Sequence, residues 1–208
     1  MTEAARSRPG GTRERLLTAA IELIAEAGWG GVTTRAVAER AGLNQALVHY
    51  HYRSVAGLLR EAAYASMSAT FEPVMLRLVE AGDPVTALRG MFGGLADLDP
   101  GAPESKVVAE AAMQAVRDPE LGAQVRQMLA QFRLELAGRL AGAQAEGWLG
   151  ASADTAALAV ALTAMLDGLA LHRLIDQGLE VGAASAAVLA LLEAGPGSAL
   201  RRDDEPEA

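Results

Sequence analysis

The 208-residue sequence contains no cysteine, and only 4% of its residues are aromatic. Without cysteine the chain has no disulfide framework, no thiolate nucleophile and no cysteine-based metal site. The first residues lack the basic and apolar regions of a secretory signal peptide. The longest apolar run, residues 156–166, is too short to span a bilayer and is followed by charged residues. We therefore expect a soluble cytoplasmic protein without a membrane partner.

Runs of β-branched residues long enough for a strand are also missing, whereas Ala, Leu, Glu and Arg are abundant. These residues favour helix, so an all-α fold is predicted. The predicted helices span residues 12–27, 33–41, 44–52, 54–81, 83–98, 104–117, 119–146, 154–177 and 181–194. Pro73 should kink the fourth helix or end it one turn early.

Charge is distributed unevenly along the chain. Residues 1–60 hold eight arginines and five glutamates, although the whole chain has a net charge of −8. A mildly basic N-terminal part on an acidic remainder fits a protein that contacts phosphates with one end only. We predict a disordered arm (1–11), a three-helix head (12–53), a larger helical body (54–194) and a disordered tail (195–208).

Two short helical patterns meet at residues 41–43. Thr33 can cap the first, and Val37, Ala38 and Ala41 give it one apolar face. Gly42 supplies the positive φ that ends such a helix without a Cβ clash. Asn44 can cap the second helix, so this stretch predicts a helix-turn-helix.

The second helix carries an unusual outward face. Gln45, Ala46, His49 and Tyr50 fall within about 140° of its circumference, whereas Val48 points inward. Glutamine, histidine and tyrosine beside a small alanine suit hydrogen bonds and apolar contacts with base edges in a major groove. The alternative for His49 and His51 is an ordinary surface or core histidine. A metal site is disfavoured because a spacing of two on a helix points the rings apart, and no third ligand is apparent.

The motifs AA-x-x-LIAEAG-W, TT-R-x-VA-x-RAGL and NQALVHYHY resemble the DNA-binding head of the TetR family of bacterial transcriptional regulators. The resemblance covers about 50 residues without gaps, roughly a quarter of the chain. It implies a head followed by a helical body that dimerises and usually binds a small ligand. One departure is Val55, at a position where the family commonly has a phosphate-binding lysine; Arg53 or the Ser54 hydroxyl could substitute.

The resemblance also implies which residues contact DNA. Thr33, Thr34 and Arg35 would meet phosphate, with Arg35 also able to reach a base, and His51 would contact the backbone. The full predicted DNA-binding set is Thr33, Thr34, Arg35, Asn44, Gln45, Ala46, Leu47, His49, Tyr50, His51 and Arg53.

Two features of the body have functional interpretations. The last two helices, within residues 154–194, are rich in small and apolar residues around much of their circumference, which predicts either an intramolecular core or a four-helix homodimer interface. Met and Phe residues on the middle helices, including Phe92, could line an adaptable cavity for a small apolar or amphipathic effector, or could simply fill the core. Glu110, Gln114 and Arg133 could orient such a ligand or could be solvated. The predicted pocket set is Met67, Phe71, Met91, Glu110, Met113, Gln114, Met128, Phe132 and Met165.

These patterns predict a ligand-responsive repressor that binds a palindromic double-stranded DNA operator as a homodimer, without a cofactor or metal. An activator or partner-regulated protein would share every head residue. A helical small-molecule-binding module that has lost DNA binding is another alternative. An enzyme is disfavoured because no acid–base cluster is visible in the sequence.

Overall fold

The computed structural model describes residues 9–96 and 99–193. Within these ranges the backbone forms nine α-helices, one short 3-10 helix and no strand, which confirms the all-α prediction. The helices are α1 (Pro9–Ala27), α2 (Thr34–Ala41), α3 (Ala46–Tyr52), α4 (Val55–Glu80), α5 (Pro84–Ala96), α6 (Pro103–Ala115), α7 (Pro119–Ala145), α8 (Thr155–Ile175) and α9 (Val181–Glu193), and the 3-10 helix is Trp29–Gly31.

The chain divides into two compact units. The head unit comprises the described residues up to 70 together with 101–125, and the body unit comprises 71–100 and the described residues from 126 onwards. Helices α4 and α7 each contribute to both units. This division differs from the predicted boundary at residue 53, because apolar side chains beyond it complete the core of the head.

The head core forms where α1, α2 and α3 meet the first turns of α4. Leu16, Ile24, Val37 and Val48 are almost completely buried there, together with Leu58 of α4. Val107 of α6 belongs to the same core, and α1 packs extensively along α6. A three-helix head is thus too small to bury its own apolar faces, and α4 and α6 supply the missing surface.

The body core contains two fully enclosed phenylalanines. Phe92 of α5 and Phe132 of α7 are each 1% exposed and belong to a cluster that includes Leu136, Leu140 and Leu162. Helix α5 also packs against α9 and α8. These contacts form a helical layer around α5 within the body unit.

The expectation that residues 9–11 are disordered was wrong, whereas the predicted extent of the fourth helix, residues 54–81, agrees with the structure. Helix α4 runs to Glu80 with Pro73 inside it, so Pro73 does not end it early. Leu78 is fully buried in the body core and Val74 packs against that core, which offsets the backbone hydrogen bond that proline removes. Helix α1 begins at Pro9, so residues 9–11 are helical rather than disordered, as suits a proline at the first helical position. The rest of the predicted arm, residues 1–8, and the predicted tail, 195–208, lie outside the described residues.

Helix α8 is longer than the apolar run within it. By length and composition alone, Thr155–Ile175 could cross a membrane. Only 22% of its most apolar 18-residue stretch is buried within this chain. The expectation that this region is too short was therefore based on too short a segment. Asp154 caps the helix by accepting hydrogen bonds from the backbone N–H groups of Ala156 and Ala157, at 3.1 and 3.0 Å.

Candidate nucleic-acid interface

Helix α2 is held at both ends by the local chemistry that the sequence predicts. The Thr33 hydroxyl accepts a hydrogen bond from the Ala36 N–H at 3.1 Å. Gly42 adopts φ 63°, and its N–H donates to the Glu39 carbonyl at 3.1 Å, so the helix ends in the left-handed cap. Leu43 N–H donates to the Ala38 carbonyl at 2.9 Å and tightens the turn towards α3.

Helix α3 presents two chemically different sides. Val48 and Tyr52 are buried, whereas Gln45, His49 and Tyr50 are exposed, with Tyr50 at 80%. The helix begins at Ala46, and Asn44 caps it by accepting a hydrogen bond from the Ala46 N–H at 2.8 Å. The face of α3 that is predicted to contact base edges is therefore exposed to solvent, and the opposite face of the helix is buried in the core.

Tyr52 anchors the end of α3 to α1. Its hydroxyl donates a hydrogen bond to the Arg13 carbonyl at 2.7 Å, and the Arg13 guanidinium lies over its ring, 5.3 Å from the centroid. Burial raises the pKa of Tyr52 to about 12, because the charged phenolate would lose hydration; the nearby Arg13 charge opposes this and Glu61 reinforces it. The anchor fixes the orientation of the exposed side chains upstream of it.

Not every predicted contact residue is equally accessible. Ala46 and Thr33 are exposed, but Leu47 packs partly against the head core, so it is a weaker candidate for the groove than expected. His51 is half-buried, and its ring meets that of Tyr50 edge to face with centroids 4.9 Å apart. Thr34 is half-buried too. Within residues 9–96 and 99–193, no three His, Asp or Glu side chains are grouped as a metal site would require.

Most arginines between residues 9 and 60 form ion pairs with acidic residues of the same chain. Arg40 forms ion pairs with Glu22 at 3.1 Å and Glu26 at 2.6 Å, and its guanidinium lowers the pKa of Glu26 through a hydrogen bond. Arg35 pairs with Glu39 at 2.7 Å across one turn of α2, and this hydrogen bond raises the pKa of Arg35. Both pairs are at the surface, where such pairs contribute little to stability.

Arg53, immediately after α3, has an unusual backbone. Its φ is 65°, and it is the single non-glycine residue with positive φ in the described part of the chain. Nothing in the sequence distinguishes this position, because an arginine carries no signal for positive φ.

The predicted pocket residues are divided between the two units. Met67 is buried in the head unit, whereas Glu110 is exposed, Gln114 is half-buried and Met113 is 62% exposed, which does not fit an enclosed pocket lining.

The other pocket residues belong to the body unit. Met91 and Phe132 are buried core residues, and Phe71 meets Phe132 edge to face with centroids 6.0 Å apart. Met165 packs against the same core and Met128 is half-buried. No set of side chains described here establishes a ligand cavity.

Among the described residues of the body unit, one buried side-chain nitrogen has no hydrogen-bond partner. The Nε atom of Arg133 is buried and makes no hydrogen bond within the described residues. Asp167 of α8 lies close enough for its charge to interact with Arg133; desolvation raises the pKa of Asp167, and Arg133 opposes that rise.

Comparisons with known proteins agree with this architecture. Residues 16–62 match the sequence model of bacterial regulatory proteins of the tetR family, and residues 84–195 match that of the BetI-type transcriptional repressor C-terminal region. No curated protein sequence gives a match.

Solved structures share the fold over nearly the whole chain. A protein classed as a transcriptional regulator from Pseudomonas aeruginosa PAO1 superposes with a TM-score of 0.79 at 21% identity, covering 95% of this chain and 97% of that one. A transcriptional regulator from Rhodococcus sp. Rha1 is 28% identical, with a TM-score of 0.69 and coverage of 87% and 93%. A relative from Saccharomonospora viridis, solved in complex with choline, has a TM-score of 0.76 at 23% identity, covering 89% and 97%.

The match to residues 84–195 alone spans more than half of the chain, and the match to residues 16–62 contains the exposed face of α3. The chain therefore belongs to the TetR family of bacterial transcriptional regulators.

Proposed function

We propose that this regulator is a ligand-responsive repressor that binds a palindromic DNA operator as a homodimer. The observation that carries the proposal is the exposed face of α3, formed by Gln45, Ala46, His49 and Tyr50 on a helix held by buried Val48 and Tyr52. Solvent-facing polar and aromatic side chains on a rigid helix are what recognition of a major groove requires.

Each exposed side chain has a chemical counterpart on DNA. Gln45 can form two hydrogen bonds with adenine, and Ala46 can pack on a thymine methyl group. Thr33, at the start of α2, can donate its hydroxyl to a phosphate oxygen while still accepting from Ala36. Base edges would then determine sequence preference, and phosphate contacts would determine position.

The exposed apolar surface of α8 supports the homodimer. Val160 and Leu171 are each 48% exposed and Ile175 is 77% exposed, although the helix is strongly apolar. An exposed apolar surface of this kind in a cytoplasmic regulator is expected to be buried in an interface. A second copy of the chain, related by a two-fold axis, would bury it at residues 154–194. The same symmetry would match an operator made of two inverted half-sites.

The body unit supports a ligand of mixed character. Apolar side chains around Phe71 and Phe132 would contact the apolar part of an effector, and the unpartnered Nε–H of Arg133 would donate a hydrogen bond to a polar acceptor on it. A ligand weakens operator binding only to the extent that it prefers the dimer state whose heads are wrongly spaced.

The experiment that tests this function is selection of duplexes from a random DNA pool by the purified protein at moderate salt. We expect enrichment of an inverted repeat. Tyr50→Ala and Gln45→Ala should each weaken binding to the selected duplex by roughly 1–3 kcal/mol and relax selectivity at one position. Tyr64→Ala is the matched control, because Tyr64 lies on α4 and is also partly exposed, at 39%. A folded dimer that enriches no sequence would contradict the proposal.

A further inference from the structure

The backbone after the recognition helix forms a strained three-residue turn around Arg53. The Ser54 N–H donates to the Tyr52 carbonyl at 2.8 Å, and Arg53 between them adopts φ 65° and ψ −35°. This combination is a γ-turn with positive φ, a rare conformation that strains any residue with a Cβ atom. Its ψ also lies outside the left-handed helical region that asparagine or aspartate can occupy.

The hydrogen bonds that define this turn do not use the Arg53 side chain. The Arg53 N–H donates to the His49 carbonyl at 3.0 Å, and the His49 ring Nδ1 lies 3.2 Å from the Arg53 carbonyl. The Ser54 hydroxyl caps α4 by accepting from the Gly57 N–H at 3.0 Å. A glycine at position 53 could keep all of these bonds and would adopt the turn without strain. Folding alone therefore gives no reason for an arginine here.

The Arg53 side chain also differs from the other described arginines between residues 9 and 60 in having no internal partner. The partners of those five arginines are Glu61 for Arg13, the Ala41 carbonyl for Arg15, Glu39 for Arg35, Glu22 and Glu26 for Arg40, and Asp118 and Glu120 for Arg60. Arg53 is exposed, and its guanidinium forms no hydrogen bond or ion pair with the described residues. It is also the one arginine or lysine between residues 41 and 59.

We infer that Arg53 is a positioning residue for DNA binding, whose guanidinium anchors α3 to a backbone phosphate and is retained in a turn where glycine would make the fold more stable. The inference rests on the proposed DNA-binding function. It adds that, at position 53, the residue that favours DNA affinity is not the residue that favours stability of the fold. The γ-turn fixes the direction in which the side chain leaves the end of α3. A free guanidinium suits a phosphate, with which it can form two parallel hydrogen bonds.

Three substitutions separate the charge from the strain. Arg53→Gly removes both, Arg53→Ala removes the charge but keeps a Cβ atom, and Arg53→Lys keeps the charge and the Cβ atom. Thermal unfolding would be measured for each variant. Binding would be measured by fluorescence anisotropy over a series of salt concentrations, with the duplex selected by the unmodified protein and with a random-sequence duplex of equal length.

Arg53→Gly should unfold about 2–4 °C higher than both the unmodified protein and Arg53→Ala, because only glycine relieves the strain. Both Arg53→Gly and Arg53→Ala should bind the selected and random duplexes roughly tenfold more weakly at physiological salt, with the salt slope reduced by about one unit per subunit. Arg53→Lys should keep most of the slope. Arg126→Ala is the control for loss of one exposed positive charge outside the head unit, and should leave the slope unchanged.

Two results would overturn the inference while leaving DNA binding intact. One is an unchanged salt slope in Arg53→Gly and Arg53→Ala. The other is an Arg53→Gly variant no more stable than Arg53→Ala. If the unmodified protein selects no duplex and binds neither probe, the proposed function fails first, and the inference fails with it.

Discussion

Ionisation of Tyr52 should control the stability of the head in alkaline solution. Its pKa lies at about 12 in the folded chain, against 10.0 for an unperturbed tyrosine. The folded state therefore holds this proton more tightly than the unfolded state. The resulting stabilisation is complete below pH 10 and is lost as the pH rises through 12, because the unfolded chain ionises first. The shift corresponds to roughly 3 kcal/mol in the free energy of unfolding.

Tyr52→Phe removes both the proton and the hydrogen bond to the Arg13 carbonyl. At neutral pH the variant should be less stable by about 1 kcal/mol, the usual net contribution of one hydrogen bond. Above pH 10 the unmodified protein should lose stability through Tyr52 while the variant does not, so the two stability curves are expected to cross. The measurement is urea unfolding followed by circular dichroism at several pH values.

The sequence makes this experiment unusually clear. The chain has one lysine and three tyrosines, so it has few side chains of the two types whose ordinary pKa lies near 10. Of the three tyrosines Tyr52 is the buried one, whereas Tyr50 and Tyr64 are exposed. A constant difference in stability between the unmodified protein and Tyr52→Phe, from neutral pH to pH 12, would refute the argument that burial of this hydroxyl raises its pKa.

Two further predictions concern assembly and packing. Val160→Asp should shift the protein from dimer to monomer in sedimentation measurements, because a charge would lie within the apolar surface of α8. The control, Leu134→Asp, changes an exposed apolar position on α7 and should remain dimeric. Equal behaviour of the two variants would contradict a dimer interface at residues 154–194. Gly57→Ala should lower the free energy of unfolding by about 1–3 kcal/mol despite the better helix propensity of alanine, since a Cβ atom there would lie 2.5 Å from the Tyr52 carbonyl oxygen. Gly30→Ala, with no neighbouring atom within 4 Å of the added Cβ, is its control, and a neutral Gly57→Ala would show that the turn after α3 can relax.

The features of the head that the sequence predicted are those set by local chemistry. Thr33 and Gly42 define the ends of α2 through hydrogen bonds within a few residues, so their residue types are sufficient evidence. The exposed face of α3 follows from helical periodicity in the same way. Leu47 was less predictable, because its partial burial depends on how α3 docks onto its neighbours.

The features that the sequence left open depend on long-range packing. The sequence did not decide whether Pro73 kinks the helix or ends it early; α4 continues past it to Glu80, where Leu78 is buried in the body core. Counting charges indicated a basic head, but it could not reveal that Arg40 is paired with glutamates of α1. The scattered methionines gave no way to distinguish buried Met91 from exposed Met113.

The pairing of head arginines with acidic residues affects how many regulator molecules a cell needs to keep the operator occupied. Between residues 9 and 60 the chain has six arginines and four glutamates, and most of the arginines already have acidic partners. Affinity for arbitrary DNA depends on arginines and lysines that displace counterions from phosphates. If most arginines between residues 9 and 60 are held by acidic partners, this segment should spend less time on the genomic sites that compete with an operator, which number about 10⁶ or more. When the cell contains few regulator molecules, a larger fraction of them is then not bound to other DNA and can occupy the operator.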